Sequence, residues 1–115
     1  MISIEEFKKG EISIGKIISV ELIETSEKLL KLSVDFGEEK PRQVVSGIRK
    51  YFSDIQSLVG TKCAFATNLE PRSLMGLESQ AMILAVSMDS TSSPQANVFS
   101  LLHVSDEIPV GTKVK

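Results

Sequence analysis

The segment NLEPRSLMGLESQAMIL, residues 68 to 84, places anion-binding side chains between two apolar runs. Arg72 carries a planar guanidinium whose donors suit two phosphate oxygens. Pro71 fixes its own φ and stiffens the approach to that arginine. Asn68 and Ser79 supply neutral donors and acceptors near the two ends of the segment. This composition indicates one wall of an anion-binding groove.

Other cations precede this segment, although the chain as a whole is acidic, with a formal net charge of −2. Lys28 and Lys31 lie at the start of a predicted second strand, and Arg42 lies opposite them on a predicted third strand. We expect these side chains to share a face with Arg72. After Arg72 the next positive side chain is Lys113. We therefore expect a polyanion to be bound by one face of the protein only.

Length and composition exclude several classes of protein. The chain has 115 residues, the usual size of one domain, and we predict a single domain spanning residues 1–115. One cysteine, Cys63, cannot form an internal disulfide, and one Cys with one His, His103, argues against four-ligand zinc. We expect a reducing cytoplasm and no cofactor. No apolar run approaches the roughly 20 residues of a membrane helix, and no Ser/His/Asp or Cys/His set indicates catalysis.

Alternating apolar residues predict the first three strands. The first begins at Ile12, and Gly15 within it indicates a bend or bulge. LLKLSVDFG continues the alternation as a second strand, GEEKP is a turn, and RQVVSG is the third strand. The spacing then becomes helical between Ile48 and Val59, with a cap for a second short segment at Ser53 or Asp54. Gly60 is placed to end that segment.

Two further strands complete the pattern, KCAFATN and AMILAVSM, and the continuous apolar run of the last predicts burial on both sides. Three strands, a short helix and two strands are the order of an all-β OB-fold, a five-stranded Greek-key barrel. Such a fold binds ligands with strands two and three and with the loop between strands four and five. We place the core barrel at about residues 10–88.

An extension at about residues 89–115 follows the predicted barrel. It begins with a polar loop, DSTSSPQAN, and then carries more apolar residues than a closed barrel needs. Two explanations remain open for this surplus. It forms either a surface for a partner, because large exposed apolar patches are uncommon on monomers, or a sixth strand that covers the barrel of its own chain.

In order along the chain, FKKGEISIGKI, EKLLKLSVDFG, RQVVSGIRKYF, NLEPRSLMGLESQAMILA and the closing GTKVK resemble one family. It is the tRNA-binding domain at the C-terminus of many bacterial methionyl-tRNA synthetases, also known as free-standing structure-specific tRNA-binding proteins. The resemblance covers nearly the whole chain. Its most specific part is VSGI followed by NLEPRSLMGLES.

The resemblance implies an OB-fold that dimerises through the region after the barrel and binds tRNA by shape and backbone. It implies a module without catalysis, which raises the tRNA affinity of methionyl-tRNA synthetase in cis or in trans. The parent of an excised domain would be a methionine–tRNA ligase. The binding positions carried over from the family are Lys28, Arg42, Ser46, Asn68, Arg72 and Ser79. Lys31 is added from the alternation of its strand.

Most departures from the family pattern remove positive charge. Ser13 stands where many members have arginine, and Ile23-Glu24 replaces a frequent His-Pro. Glu70 occupies a position often held by lysine, and Ala81 one often held by glycine. Because each lost phosphate contact lowers affinity and its salt dependence, we expect weak binding that becomes useful in a dimer or when tethered to an enzyme.

Two other hypotheses remain. One is an export-related peptide-binding chaperone, which resembles the same fold and would use a hydrophobic groove. The other is a dimerisation module whose nucleic-acid face has weakened. At the level of single residues, the simplest alternative is that Arg72 pairs with Glu70 or Glu78 at the surface, an interaction worth about 0–1 kcal/mol.

Overall fold

The computed structural model describes residues 1–88 and 98–115. In chain order its helix and strands are α1 (Ile4–Phe7), β1 (Ile12–Leu22), β2 (Leu30–Asp35), β3 (Arg42–Ser46), β4 (Lys62–Ala66), β5 (Arg72–Leu74), β6 (Leu77–Ser79), β7 (Met82–Ile83), β8 (Ala85–Met88) and β9 (Val98–Leu101). Five strands form one antiparallel sheet in the order β3-β2-β1-β4-β7. The N–H of Gln80 donates to the carbonyl of Gln43 at 2.8 Å, which joins the two ends of this sheet. The predicted all-β barrel is confirmed.

Alternation along β2 builds the core. Leu30, Leu32 and Val34 are fully buried, while the residues between them are half-exposed. Phe36 and Phe65 meet edge to face below these residues, with ring centroids 5.1 Å apart, an arrangement that aromatic quadrupoles favour. The interior is therefore filled by side chains, and binding must use the outer surface or the rim.

β1 is long because it pairs with two different strands of the barrel along its length. Its first half pairs with β4 and its second half with β2, and the register with β2 shifts between Ile17 and Ser19. The expectation of a bulge at Gly15 is therefore wrong, because the irregularity lies three residues later. Gly15 instead makes room, since a Cβ there would lie 2.6 Å from the Phe36 ring and 2.6 Å from a Val34 methyl carbon.

Two short 3-10 turns, Arg49–Tyr51 and Ile55–Leu58, connect β3 to β4 where helical spacing with a second short segment was predicted. Asp54 caps the second turn, because its carboxylate accepts from the Gln56 N–H at 3.1 Å. Gly60 follows with a φ of +91°, as its predicted place at the end of the turn requires.

The last residues of the chain return to β1. Ile14 donates to the carbonyl of Thr112 at 2.9 Å, and its own carbonyl accepts from Gly111 at 2.7 Å. The Val114 N–H donates to Ile12 at 2.9 Å. The closing GTKVK therefore lies along β1 of its own barrel. This agrees with the explanation in which the extension covers the barrel of its own chain.

β8 and β9 form a hairpin with two different faces. Phe99 of β9 stacks on Tyr51 at a centroid distance of 4.0 Å and meets Phe52 edge to face. The opposite face carries exposed apolar side chains, among them Val86 and Met88. The expectation that AMILAVSM is buried on both sides is therefore wrong, because its second half leaves the barrel. The predicted polar loop DSTSSPQAN lies outside the described residues.

α1 is a single turn at the N-terminus that the sequence pattern did not predict. The Ser3 hydroxyl accepts from the Glu6 N–H at 3.1 Å and so caps the turn. Across residues 1–88 and 98–115, no helix has the length and apolar composition needed to cross a bilayer.

The packing at Gly15 generates the first prediction. Gly15→Ala should lower the free energy of unfolding by about 1–3 kcal/mol, because the added methyl has no space against Val34 and Phe36. Urea denaturation measures this change. Gly10→Ala is the control, since a Cβ there meets only a carbonyl oxygen of Phe7 at 3.5 Å, and it should change stability by less than about 0.5 kcal/mol. Equal effects would show that Gly15 is not tightly packed.

Candidate nucleic-acid interface

The segment between β4 and β7 is a tight hairpin of β5 and β6. Met75 and Gly76 form its two-residue turn with φ values of 52° and 79°. Two successive positive φ values are typical of the turn whose twist matches the flanking strands. Gly76 adopts this conformation without strain, whereas Met75 carries a conformational cost at an exposed position. Arg72 and Ser79 face each other across the hairpin.

Side-chain hydrogen bonds attach this hairpin to β3. The Ser79 hydroxyl accepts from the Val45 N–H at 2.9 Å and donates to the Ala81 carbonyl at 2.9 Å. Gln43 donates through its side chain to the Glu78 carbonyl at 2.9 Å. The Gln43 N–H donates to the side-chain oxygen of Gln80, also at 2.9 Å. The buried Ser79 therefore holds the structure together, and its hydroxyl is already engaged.

Arg42 joins the two ends of the segment that contains the hairpin. One terminal nitrogen, Nη1, donates to the carbonyl of Thr67 at 2.9 Å and to the carbonyl of Gln80 at 3.2 Å. The other side of the guanidinium donates twice to the Glu38 carboxylate, at 2.8 and 2.7 Å. The group also lies over the Phe36 ring at 5.4 Å. A guanidinium has five N–H donors, so these four bonds leave one for a ligand.

The pair of Arg42 and Glu38 changes the titration of both groups. The hydrogen bond from Arg42 holds the pKa of the Glu38 carboxyl below its ordinary value. The hydrogen bond to Glu38 raises the pKa of Arg42. A depressed carboxyl pKa contributes stability that is present above the unfolded-state pKa and is lost as the pH falls through the folded-state pKa. The pair is therefore intact at neutral pH, where it neutralises much of the charge of Arg42.

The two lysines of the predicted site lie apart from Arg42. In the β2–β3 register, Lys31 stands opposite Val45 and Arg42 stands opposite Val34. Directly paired residues point to the same side of a sheet, and neighbours alternate, so Lys31 and Arg42 occupy opposite faces. For Lys31 and Arg42 the expectation of a common face is wrong. Lys31 also pairs with Glu21 at 2.9 Å, whereas Lys28 is exposed before β2 begins.

A cavity of about 220 Å³ brings together Ser46, Arg72 and Ser79. Arg72 is exposed, and no hydrogen bond or ion pair engages its side chain within the described part of the chain. The alternative pairing with Glu70 or Glu78 therefore does not form. Asn68 points elsewhere, since its amide nitrogen donates to the Lys9 carbonyl at 2.6 Å near the N-terminal turn.

Three residues around the hairpin, Glu38, Gln43 and Gln80, take part in its hydrogen bonds although the sequence pattern did not predict this. Glu38 lies four residues before Arg42. Because these residues are in a turn and a strand rather than on a helix, that spacing did not predict their ion pair. Gln80 ends the polar run Glu78-Ser79-Gln80 within the segment at residues 68–84. Three consecutive polar residues in a strand-like segment were the feature of the sequence that could have indicated a hydrogen-bonding role for Gln80.

A family model of a putative tRNA binding domain matches residues 12–113. The chain is 42% identical to a methionine–tRNA ligase from Deinococcus radiodurans over 115 residues, which are 100% of this chain and 16% of that protein. It is 41% identical to a methionine–tRNA ligase from Methanocella arvoryzae over 99% of this chain and 15% of that protein. The chain thus spans about a sixth of the length of these relatives.

Solved structures of similar fold come from two kinds of protein. A MetRS-related protein from Pyrococcus horikoshii superposes with a TM-score of 0.86 at 32% identity, covering 100% of this chain and 98% of that one. The chaperone CsaA from Bacillus anthracis superposes with a TM-score of 0.80 at 26% identity, covering 100% and 99% of the two chains.

The bonds of Arg42 generate the second prediction. Arg42→Ala should lower the free energy of unfolding by about 1–3 kcal/mol, because the Thr67 and Gln80 carbonyls lose their charged donor. The backbone N–H of Gln80 should also exchange its hydrogen with solvent faster. Urea denaturation and hydrogen exchange measure the two effects.

Lys31→Ala is the matched control, since it removes a cation whose ion pair is only partly buried. It should cost about 0–1 kcal/mol and leave the exchange of Gln80 unchanged. If the two variants behave alike, Arg42 does not hold the hairpin.

Proposed function

The chain belongs to the putative tRNA-binding domain family, and from that membership we propose that it grips the phosphate backbone of tRNA with the rim that carries Arg72. It is a binding module that performs no chemistry of its own. Lys28, Ser46 and Arg72 contact the RNA in this proposal. Arg42 and Ser79 instead hold the hairpin that presents Arg72.

The single observation that carries the proposal is the state of Arg72. Its guanidinium is exposed and unengaged within the described residues, and the hairpin beneath it is fixed to β3 by the bonds of Gln43 and Ser79. A donor group on a rigid support loses little conformational freedom when it binds phosphate. Phosphate contacts by such groups supply most of the sequence-independent affinity for nucleic acid.

Composition favours recognition of a folded RNA surface. Aromatic residues make up only 5% of the chain, whereas binding of extended single strands relies on aromatic platforms. Three of the cations are already paired, namely Lys31 with Glu21, Arg42 with Glu38 and Lys113 with Glu11. Since the 15 acidic residues outnumber the 13 Lys and Arg residues, the affinity of one isolated domain should be weak. Asn68 is bonded to the Lys9 carbonyl and Lys31 is paired with Glu21, so both contribute less to binding.

A weak binding module is useful when it acts beside an enzyme. We place it with methionyl-tRNA synthetase in the cytoplasm, where it raises the affinity of that enzyme for tRNA. The similarity to the C-terminal sixth or so of two methionine–tRNA ligases supports an arrangement in cis. The Pyrococcus horikoshii chain, which this sequence covers over 98% of its length, supports an arrangement in trans. Linking the tRNA contact of this module to that of the synthetase raises the overall affinity for tRNA without new contacts.

We also propose that the protein is a homodimer and that residues 1–115 act as one domain within it. The outer face of the β8–β9 hairpin exposes apolar side chains, with Val86 at 55%, Met88 at 69% and Val98 at 58% exposed. These residues lie on one side of the two strands, because Met88 pairs with Val98 and Val86 is two residues from Met88. Contiguous apolar surface of this kind is typical of protein contacts. A dimer would double the tRNA contacts.

A peptide-binding chaperone is the second candidate function. The similarity to the chaperone CsaA from Bacillus anthracis favours it, and so does the largely apolar wall of the cavity next to Arg72. A dimerisation module with a weakened nucleic-acid face is the third. The exposed Arg72 favours tRNA over both, because neither function requires an unengaged guanidinium at that place.

The third prediction tests tRNA binding. Affinity for tRNA should fall as salt rises between about 50 and 200 mM, and Arg72→Ala should both weaken binding and lower the slope of log K against log salt by about 0.9 for one phosphate lost. Fluorescence anisotropy with labelled tRNA measures both quantities. Lys115→Ala is the control with the same change in charge, and it should leave the slope near the wild-type value. Binding that ignores salt would overturn the proposal.

The fourth prediction tests the dimer. Met88→Glu should convert the protein from dimer to monomer, because it places a charge in the proposed apolar contact. Sedimentation equilibrium or light scattering gives the mass. Met75→Glu makes the same substitution at the exposed tip of the β5–β6 hairpin and should leave the dimer intact. A wild-type monomer at high protein concentration would exclude this contact.

A further inference from the structure

The cavity beside Arg72 has the size for one small flat group. It lies between the end of β3 and the β5–β6 hairpin, and its volume is about 220 Å³. Pockets that take drug-sized ligands measure roughly 300–1,000 Å³, so this cavity suits a single group of a larger molecule. Its walls are apolar and come from separate elements, with Leu29 before β2, Val45 from β3, Leu74 from β5 and Ile83 from β7.

Three polar side chains at the cavity are unengaged. The Ser46 hydroxyl, the Glu70 carboxylate and the Arg72 guanidinium have no hydrogen-bond or ion-pair partner in the described part of the chain. Ser79 also lines the cavity, but its hydroxyl is bonded to Val45 and Ala81. The cavity therefore offers apolar walls together with one acidic acceptor and one basic donor.

A nucleotide has the matching set of groups. The faces of its base are apolar, its phosphate accepts from a guanidinium, and the edge of its base donates to a carboxylate. Guanine presents two adjacent donors on its Watson–Crick edge, which suit the two oxygens of a carboxylate. Adenine and cytosine present an amino group beside an acceptor, and uracil presents one donor between two acceptors. Guanine is therefore the base that a carboxylate selects.

We infer that the cavity takes the base of one unpaired guanosine of the bound tRNA, with Glu70 on the base edge and Arg72 on a neighbouring phosphate. This inference rests on the proposed function and adds a base contact to it. Unpaired bases in loops are the parts of a folded RNA that enter protein pockets. Glu70 then has a role that its unfavourable charge toward phosphate does not otherwise explain.

The charges favour a nucleotide over an apolar peptide side chain. A leucine or phenylalanine side chain would fill the walls but would leave both Glu70 and Arg72 without partners. Both groups are exposed, so such a ligand would gain no polar contact from either of them. A nucleotide satisfies both charges with one residue of ligand. Peptide occupancy is accordingly the alternative outcome of the test.

Nucleotide titrations followed by NMR test the inference without tRNA. Guanosine 5′-monophosphate should shift the methyl signals of Leu74 and Ile83 and bind about five-fold or more tightly than uridine 5′-monophosphate. Glu70→Gln should bring the two affinities within about two-fold of each other. Glu78→Gln is the control on the same hairpin, outside the cavity, and should keep the preference. Equal binding of both nucleotides to the wild type, or a response only to a short leucine-rich peptide, would overturn the inference.

A measurement with tRNA separates this inference from the proposed function. Glu70→Gln removes a negative charge near the RNA, so a contact made only with phosphate predicts tighter binding. The guanosine contact predicts the opposite, a loss of about five-fold or more at fixed salt. If affinity rises or stays the same while the wild type keeps its salt-dependent binding, the base contact is wrong and the tRNA function stands. If the wild type does not bind tRNA at low salt, the proposed function fails, and the nucleotide titrations still decide whether the cavity prefers guanosine.

Discussion

The hydrogen bonds of Arg42 are the constraint on which the proposed site depends. The segment between β4 and β7 leaves the five-stranded sheet as the β5–β6 hairpin and then returns to it. Arg42 joins the carbonyls of Thr67 and Gln80 at the two ends of this segment, while Glu38 fixes the guanidinium itself. Gln43 and Ser79 then align the hairpin along β3. Arg72 is presented at a fixed place because these polar bonds hold its support.

This arrangement explains how an acidic chain can have a face for a polyanion. Two of the carboxylates pair with cations that stabilise the fold. Glu38 pairs with Arg42, and Glu11 pairs with Lys113. The cation at the rim of the cavity stays unpaired within the described residues. Net charge therefore says little about the local field at this rim, although it limits the strength of long-range attraction. Doubling the rim in a dimer, or tethering it to a synthetase, would compensate for weak attraction.

Much of the fold followed from the alternation of apolar residues, because β1 to β4 are strands with one face in the core and that pattern is local. The capping role of Asp54 was also local. The predictions that were wrong concern how separate segments of the chain pair with one another. AMILAVSM reads as one buried strand, but pairing with β9 carries Val86 and Met88 away from the barrel. Lys31 and Arg42 were expected to share a face, and the register between β2 and β3, which no single strand specifies, places them on opposite sides. Among the site residues, Arg72, Ser46 and Ser79 meet at one cavity, whereas Asn68 turns toward the N-terminus.

The central claim is that Arg42 acts through the position of Arg72 and not through its own contact with RNA. A double-mutant cycle on tRNA affinity tests this claim most directly, with the wild type, Arg42→Ala, Arg72→Ala and the double variant compared at one salt concentration. If Arg42 only positions Arg72, replacing Arg72 should cost several-fold in the wild type and less than about two-fold once Arg42 is alanine. If the two losses instead multiply in the double variant, each arginine meets the RNA independently and the account is contradicted.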